Sequence, residues 1–246
     1  MDMRDGLKSK QLRIIKKNTN VKVVTIDDPE EKYVEADLAF YPPVPQLDRN
    51  DWKKFNGKLF KGWEYIILRK EFNIERINKI NDIPNILVTM GGSDNDDMTG
   101  FVIELLKAIE LAFTVTIIVG SGYTHLKRLK KSLKNVKYSY NLFQNPDNIS
   151  QIMSKSRFAI ISFGQTAYEL ASLKIPSLYI CISKDHYVSA TALQAVNAGR
   201  IIGIFKKIKP SLLNEKICHW LTDKKKIDYM AKKLQLLKIS DIIIES

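Results

Sequence analysis

The chain has little of what many chemistries need. Of its 246 residues only two are cysteine, Cys181 and Cys218, and three are histidine. Two cysteines at no metal-ligand spacing exclude a zinc cluster and a disulfide framework. Both read as small buried apolar residues, Cys181 in a strand and Cys218 in a helix. Long apolar runs are missing too. The longest, residues 113–119 and 175–182, have strand length, well short of the roughly 20 residues that cross a bilayer as a helix. Residues 1–17 are charged and lack the apolar stretch of a secretory signal, so the cytoplasm is the expected location. Walker loops, zinc spacings and a Ser-His-Asp order are all absent.

What is present suits a folded globular protein, with 45% hydrophobic and 27% charged residues, near the usual composition of such chains. The net charge of +12 arises from 39 Lys and Arg against 27 Asp and Glu. Two clusters carry much of it: Lys127, Arg128, Lys130, Lys131 and Lys134, then Lys224, Lys225, Lys226, Lys232 and Lys233. They read first as solvated helix faces. Attraction to an anionic substrate, or weak contact with a membrane surface, is the second reading. Aromatic residues are not interleaved with them as base-stacking platforms, so nucleic acid is not an expected partner.

From residue 84 onward strand and helix patterns alternate. Strands are expected at 85–90, 113–119, 136–140, 158–162, 177–182 and 200–204. Helices are expected at 98–111, 124–133, 149–154, 166–173 and 188–198, with closing helices at 212–221 and 227–237. Strands apolar on both faces and separated by helices imply a parallel α/β sheet covered on both sides, of the Rossmann type. The earlier part has only a helix near 7–17 and strands at 21–27 and 36–40, too few to close a core alone. The expected division is therefore a partial α/β unit at 1–75 and a nucleotide-binding Rossmann-like unit at 76–246, joined through a polar linker at 72–84.

Two glycine-bearing turns stand where a strand meets a helix. In Gly91-Gly92-Ser93-Asp94, glycine lets backbone amides approach an anion at the helix N-terminus; ordinary helix-start chemistry is the competing reading. The neighbouring Asp96 and Asp97 complement the helix dipole rather than suggest a metal. In the second turn, Gly164-Gln165-Thr166 follows Ser162-Phe163, and Glu169 lies three residues beyond Thr166 on the same helix face. That combination offers amides for a phosphate and a carboxylate for ribose hydroxyls, or else a capping box between Thr166 and Glu169. Between the next strand and helix, Asp185, His186 and Tyr187 occupy a polar loop on the same sheet edge. His186 is the one weak catalytic candidate, because histidine titrates near neutrality. No metal and no cofactor is expected.

Residues 86–94, Ile-Leu-Val-Thr-Met-Gly-Gly-Ser-Asp, and residues 164–176, Gly-Gln-Thr-Ala-Tyr-Glu-Leu-Ala-Ser-Leu-Lys-Ile-Pro, resemble nucleotide-sugar proteins of the GT-B fold. The likeness is to the hydrolases of the pseudaminic acid pathway and the related spore coat polysaccharide biosynthesis proteins. It extends upstream through residues 23–28, 36–38 and 63–72. The resemblance implies that Gly92 and Ser93 face a diphosphate, that Gly164 and Thr166 bind phosphate, and that Glu169 holds the ribose of UDP or a UDP-sugar. It also implies a Gly-x-Gly-His loop near the start of the first unit, with no counterpart in this sequence. Three readings of that difference stay open: a fragment, a truncated reading frame, or one half of a split protein whose partner chain supplies the segment. Where the family often carries an Asn-Gln pair, this chain has Asp185-His186-Tyr187. Three functions stay open: a nucleotide-sugar hydrolase of surface-polysaccharide or nonulosonic acid synthesis, a GT-B glycosyltransferase, and a non-catalytic nucleotide-sugar-binding partner of a split enzyme.

Overall fold

The computed structural model describes residues 7–28, 30–74, 83–240 and the backbone of 242–244. Most of the expected linker, residues 75–82, lies outside the described residues. The chain forms two parallel-sheet α/β units of unequal size.

The first unit opens with helix α1 (Ser9–Asn18), followed by strands β1 (Val24–Ile26), β2 (Leu38–Tyr41) and β3 (Lys58–Lys61), which pair in parallel in that order. β3 was not anticipated: its Lys-Leu-Phe-Lys sequence carries little apolar signal, and its partner strand holds it in register, with Phe40 opposite Phe60. Alternation along a strand sends successive residues to opposite faces. One face turns Ala39 and Tyr41 onto a small core of Tyr33, Val44 and Leu47, with Trp52 and Phe55 at its margin. The other carries stacked Phe40 and Phe60 and leaves Val24 and Ile26 47% and 51% exposed.

The second unit is a six-stranded parallel sheet built from β5 (Asn85–Thr89), β6 (Thr114–Val119), β7 (Ser139–Gln144), β8 (Phe158–Ser162), β9 (Ser177–Cys181) and β10 (Gly199–Ile204). The remaining pair is β4 (Ile67–Arg69) with β11 (Ile242–Ile244), so the end of the chain returns to pair with a strand that precedes the large sheet. The helices are α2 (Met98–Leu106), α3 (Leu126–Leu133), α4 (Ile149–Met153), α5 (Gln165–Ser172), α6 (Lys184–Ala195), α7 (Pro210–Thr222) and α8 (Lys224–Gln235). No helix among the described residues is long and apolar enough to cross a membrane.

Period-two alternation within buried strands produces two cores. Ile86, Val88, Val115 and Ile160 face α2, α7 and α8, meeting Val102, Ile217, Trp220 and Met230. Leu87, Ala159, Ile161 and Tyr179 face α5 and α6, meeting Ala167, Leu170, Ala190 and Leu193. Ile66, Leu68 and Phe72 join this second core although they precede residue 75, which ties β4 to the large sheet.

Two expectations are corrected. The strand placed at 136–140 runs from Ser139 to Gln144: it is the sheet's edge, and its largely exposed and polar residues leave no continuous apolar run to mark its bounds. The polar loop placed at 183–189 is the first turns of α6: the Ser183 side chain caps the helix by accepting from the His186 amide at 3.1 Å. Polar composition there reports helix-start chemistry, not a loop.

Candidate functional site

Across the large sheet the strands lie in the order β7-β6-β5-β8-β9-β10. Counted from β5, this is the doubly wound order 3-2-1-4-5-6, whose direction reverses between strands 1 and 4. The reversal therefore falls between β5 and β8. These are the strands whose carboxyl ends carry Gly91-Gly92-Ser93 and Ser162-Phe163-Gly164. A crevice outside that point is where ligands of open α/β sheets bind.

The two turns are chemically unlike. Gly91 has φ of 85°, which favours glycine because a Cβ is strained there. Next to it Gly120 packs so closely on Gly92 that a side chain would strike the Gly92 backbone, and the Gly122 amide donates to the Gly92 carbonyl at 3.2 Å. The helix start beyond is already filled. Asp94 accepts from the amides of Met98 and Thr99, both at 2.8 Å, and Asp97 accepts from Gly100 at 3.2 Å. Asp97 is further held by the Tyr123 hydroxyl at 2.6 Å and by Arg128 at 3.3 Å. Burial pushes the Asp94 carboxyl up, against the opposing pull of its two amide donors. The acids of this turn thus serve the α2 N-terminus itself.

At α5 the arrangement is open. Gly164 is the N-cap and no side chain caps the helix. The space a Cβ would take at Gly164 is free, as it is at Gly91 and Gly92. Thr166 lies inside the helix, so the capping box that its spacing to Glu169 allowed is not formed. Glu169 is instead 7% exposed. Burial pushes its carboxyl up, while Arg69 and the Thr166 hydroxyl pull it down. Arg69 Nη2 lies 3.3 Å from Glu169 Oε1. Gln165 sends its amide nitrogen to the Ile67 carbonyl at 3.0 Å, linking α5 to β4.

Asp185, His186 and Tyr187 stand in the first turn of α6, after β9 and beside β8. His186 lies 6.0 Å, ring to ring, from Phe163, the residue before Gly164. Its Nδ1 is buried without a hydrogen-bond partner, and burial lowers its pKa. Gln46, from the first unit, donates to the Asp185 carbonyl at 2.9 Å and to Ser189 Oγ at 2.6 Å. Arg69 and Glu71 lie in the segment 63–72 that carries the resemblance but were given no role there, and Gln46 and Tyr123 carried no local signal in the sequence. They reach the site from segments 26 to 143 residues distant from their partners.

Residues 85–245 match the family model of the glycosyltransferase family 28 C-terminal domain. The chain belongs to this family. An uncharacterized protein of Methanocaldococcus jannaschii is 31% identical over 166 residues, covering 63% of this chain and 34% of its own length. The UDP-2,4-diacetamido-2,4,6-trideoxy-beta-L-altropyranose hydrolase of Campylobacter jejuni is 25% identical across 76% of this chain and 68% of its own. The UDP-N-acetylglucosamine--N-acetylmuramyl-(pentapeptide) pyrophosphoryl-undecaprenol N-acetylglucosamine transferase of Acetivibrio thermocellus is 22% identical across 72% of this chain and 50% of its own. The matched segments therefore span from 34% to 68% of these relatives' lengths. Among solved structures, Acinetobacter baumannii MurG superposes with a TM-score of 0.74 at 13% identity, over 95% of this chain and 74% of that one. The fold is that of the GT-B glycosyltransferases, and the family 28 chain is related by sequence to hydrolase-named and transferase-named proteins alike.

Proposed function

We propose that this chain binds a UDP-sugar at the carboxyl edge of β5 and β8 and works as a nucleotide-sugar hydrolase in the cytoplasm. The observation that carries the reading is the uncapped α5 N-terminus at the point where the strand order reverses. In this reading the Gly164–Thr166 turn cradles the diphosphate, the Gly91–Ser93 turn closes on it from β5, and Glu169 accepts from the ribose hydroxyls. UDP stands in the names of the relatives from C. jejuni and A. thermocellus.

The sugar then extends toward Asp185, His186 and Tyr187. Water attacks the anomeric carbon of the sugar, the bond from that carbon to the β-phosphate oxygen breaks, and the α5 amides stabilise the departing UDP. His186, whose pKa burial lowers and whose Nδ1 has no hydrogen-bond partner, is the group assigned to take the proton of that water. Calorimetric titration with UDP, CMP and GDP tests the binding step. Selective UDP binding that weakens in Glu169→Ala is the expected result; a folded chain that binds none of the three overturns the reading.

A transferase is the second reading, favoured by the N-acetylglucosamine transferase relative. Product analysis separates the two, because UDP released from a UDP-sugar in water alone counts against an obligatory acceptor. The half-exposed Val24 and Ile26 favour further α/β structure on the first sheet, since parallel sheets are ordinarily covered on both faces. In that version the site's sugar side is completed by a second chain.

A further inference from the structure

Glu169 is a carboxyl in an unfavourable place. It is 7% exposed, and a buried carboxyl without a positive partner tends to keep its proton. A protonated carboxyl gives up acceptor capacity, whereas a carboxylate accepts from two vicinal hydroxyls at once. Its positive partner comes from β4, 100 residues away in sequence: Arg69 Nη2 is 3.3 Å from Glu169 Oε1.

Arg69 is itself held. Its Nη1 lies 2.7 Å from Glu71 Oε1, and its guanidinium carbon sits 5.0 Å from the Phe72 ring centroid. The second oxygen of Glu71 accepts from the Ser150 amide at 3.2 Å. The result is a relay from α4 through Glu71 and Arg69 to Glu169, which the Thr166 hydroxyl also contacts. The planar guanidinium fork spans two carboxylates in a fixed geometry that an ammonium does not reproduce. The charged groups acting on Glu169 are Arg69 and Glu71, with Glu71 opposing Arg69.

We propose that Arg69 is a positioning residue of the nucleotide site, holding Glu169 as an oriented carboxylate so that the site selects ribonucleoside over 2′-deoxyribonucleoside diphosphates. The inference rests on the UDP reading given above.

The test is calorimetric titration of the chain with UDP and with 2′-deoxy-UDP, on the wild type, Arg69→Met, Arg69→Lys and Glu169→Gln. Thermal melts monitored by circular dichroism accompany each variant. The wild type is expected to prefer UDP by about tenfold or more, as befits one hydrogen bond to a charged group. In Arg69→Met the preference falls to within about threefold, as in Glu169→Gln, and Arg69→Lys lies between. Arg69→Lys carries the test if Arg69→Met does not fold, and full wild-type preference in it then overturns the proposal. A folded Arg69→Met that keeps the preference, or binds UDP more tightly, also overturns it, because Arg69 would then only brace the fold or occupy Glu169. Failure of the underlying reading looks different: the wild type binds no UDP, or Glu169→Gln binds as the wild type does.

Discussion

The carboxylate of Asp94 lies 2.8 Å from the backbone amide of Thr99 and equally close to that of Met98. A chain carboxylate thus already occupies the start of α2, where the glycine turn at 91–93 led one to expect an anion. The α5 start has no such occupant. Two strand-turn-helix segments that read alike in sequence therefore differ in what they can bind, and the difference yields the first two predictions.

Asp94→Ala leaves two helix-start amides without their acceptor. Unmade hydrogen bonds of this kind cost about 1–3 kcal/mol, so the chemical-denaturation midpoint should fall by the corresponding amount. An unchanged midpoint would mean that water replaces the carboxylate fully.

The glycines separate backbone need from ligand need. Gly91 has a positive φ, so Gly91→Ala should destabilise the chain by about 1 kcal/mol. Gly164 is extended and a methyl group there meets nothing. Gly164→Ala should therefore change stability by less than about 0.5 kcal/mol while weakening UDP binding, read by denaturation and calorimetry on the same samples. Equal loss of stability in both variants would contradict the difference in backbone geometry.

Burial raises the Glu169 carboxyl above its ordinary value, and the sign of its linkage to stability follows. In the window between the ordinary and the raised value the folded chain binds more protons than the unfolded one, so this group's contribution is full below the ordinary value and lost as pH rises through the raised one. Glu169→Gln removes that slope. Relative to the wild type, the variant should gain stability as pH rises through that window. Parallel stability curves for the two proteins would show that Glu169 is not raised.

The two faces of the large and small sheets predict opposite tolerances. Leu87 is fully buried in the middle of the six-stranded sheet, and Leu87→Ala should cost about 2–5 kcal/mol. Ile26 is half-exposed on β1, so Ile26→Lys should stay within about 0.5 kcal/mol. A large loss at Ile26 would mean that its face is covered within the chain itself.

Much of the second unit was legible in the sequence. Alternating apolar strands and helices from residue 84 specify a parallel α/β sheet, because burial on both faces leaves a continuous apolar imprint. Glycine, Ser and Thr at strand ends mark the turns, and the Gly164–Glu169 spacing is local to one helix. β3 was not legible: its sequence is half charged, and it becomes a strand because β2 supplies a ladder of partners. The start of α6 is not legible either, because capping residues and loop residues share a composition.

The sequence by itself determined that the chain from residue 84 onward is a parallel α/β sheet covered on both faces, with a glycine turn after each of two strands, because those features are written in short periods and adjacent residues. Only the tertiary structure decided that β5 lies beside β8, that Asp94 fills one helix start while Gly164 leaves the other open, and that Arg69 meets Glu169. Those pairings join residues distant along the chain or depend on backbone angles. Their free energy is realised only once the sheet has closed and removed the competing water.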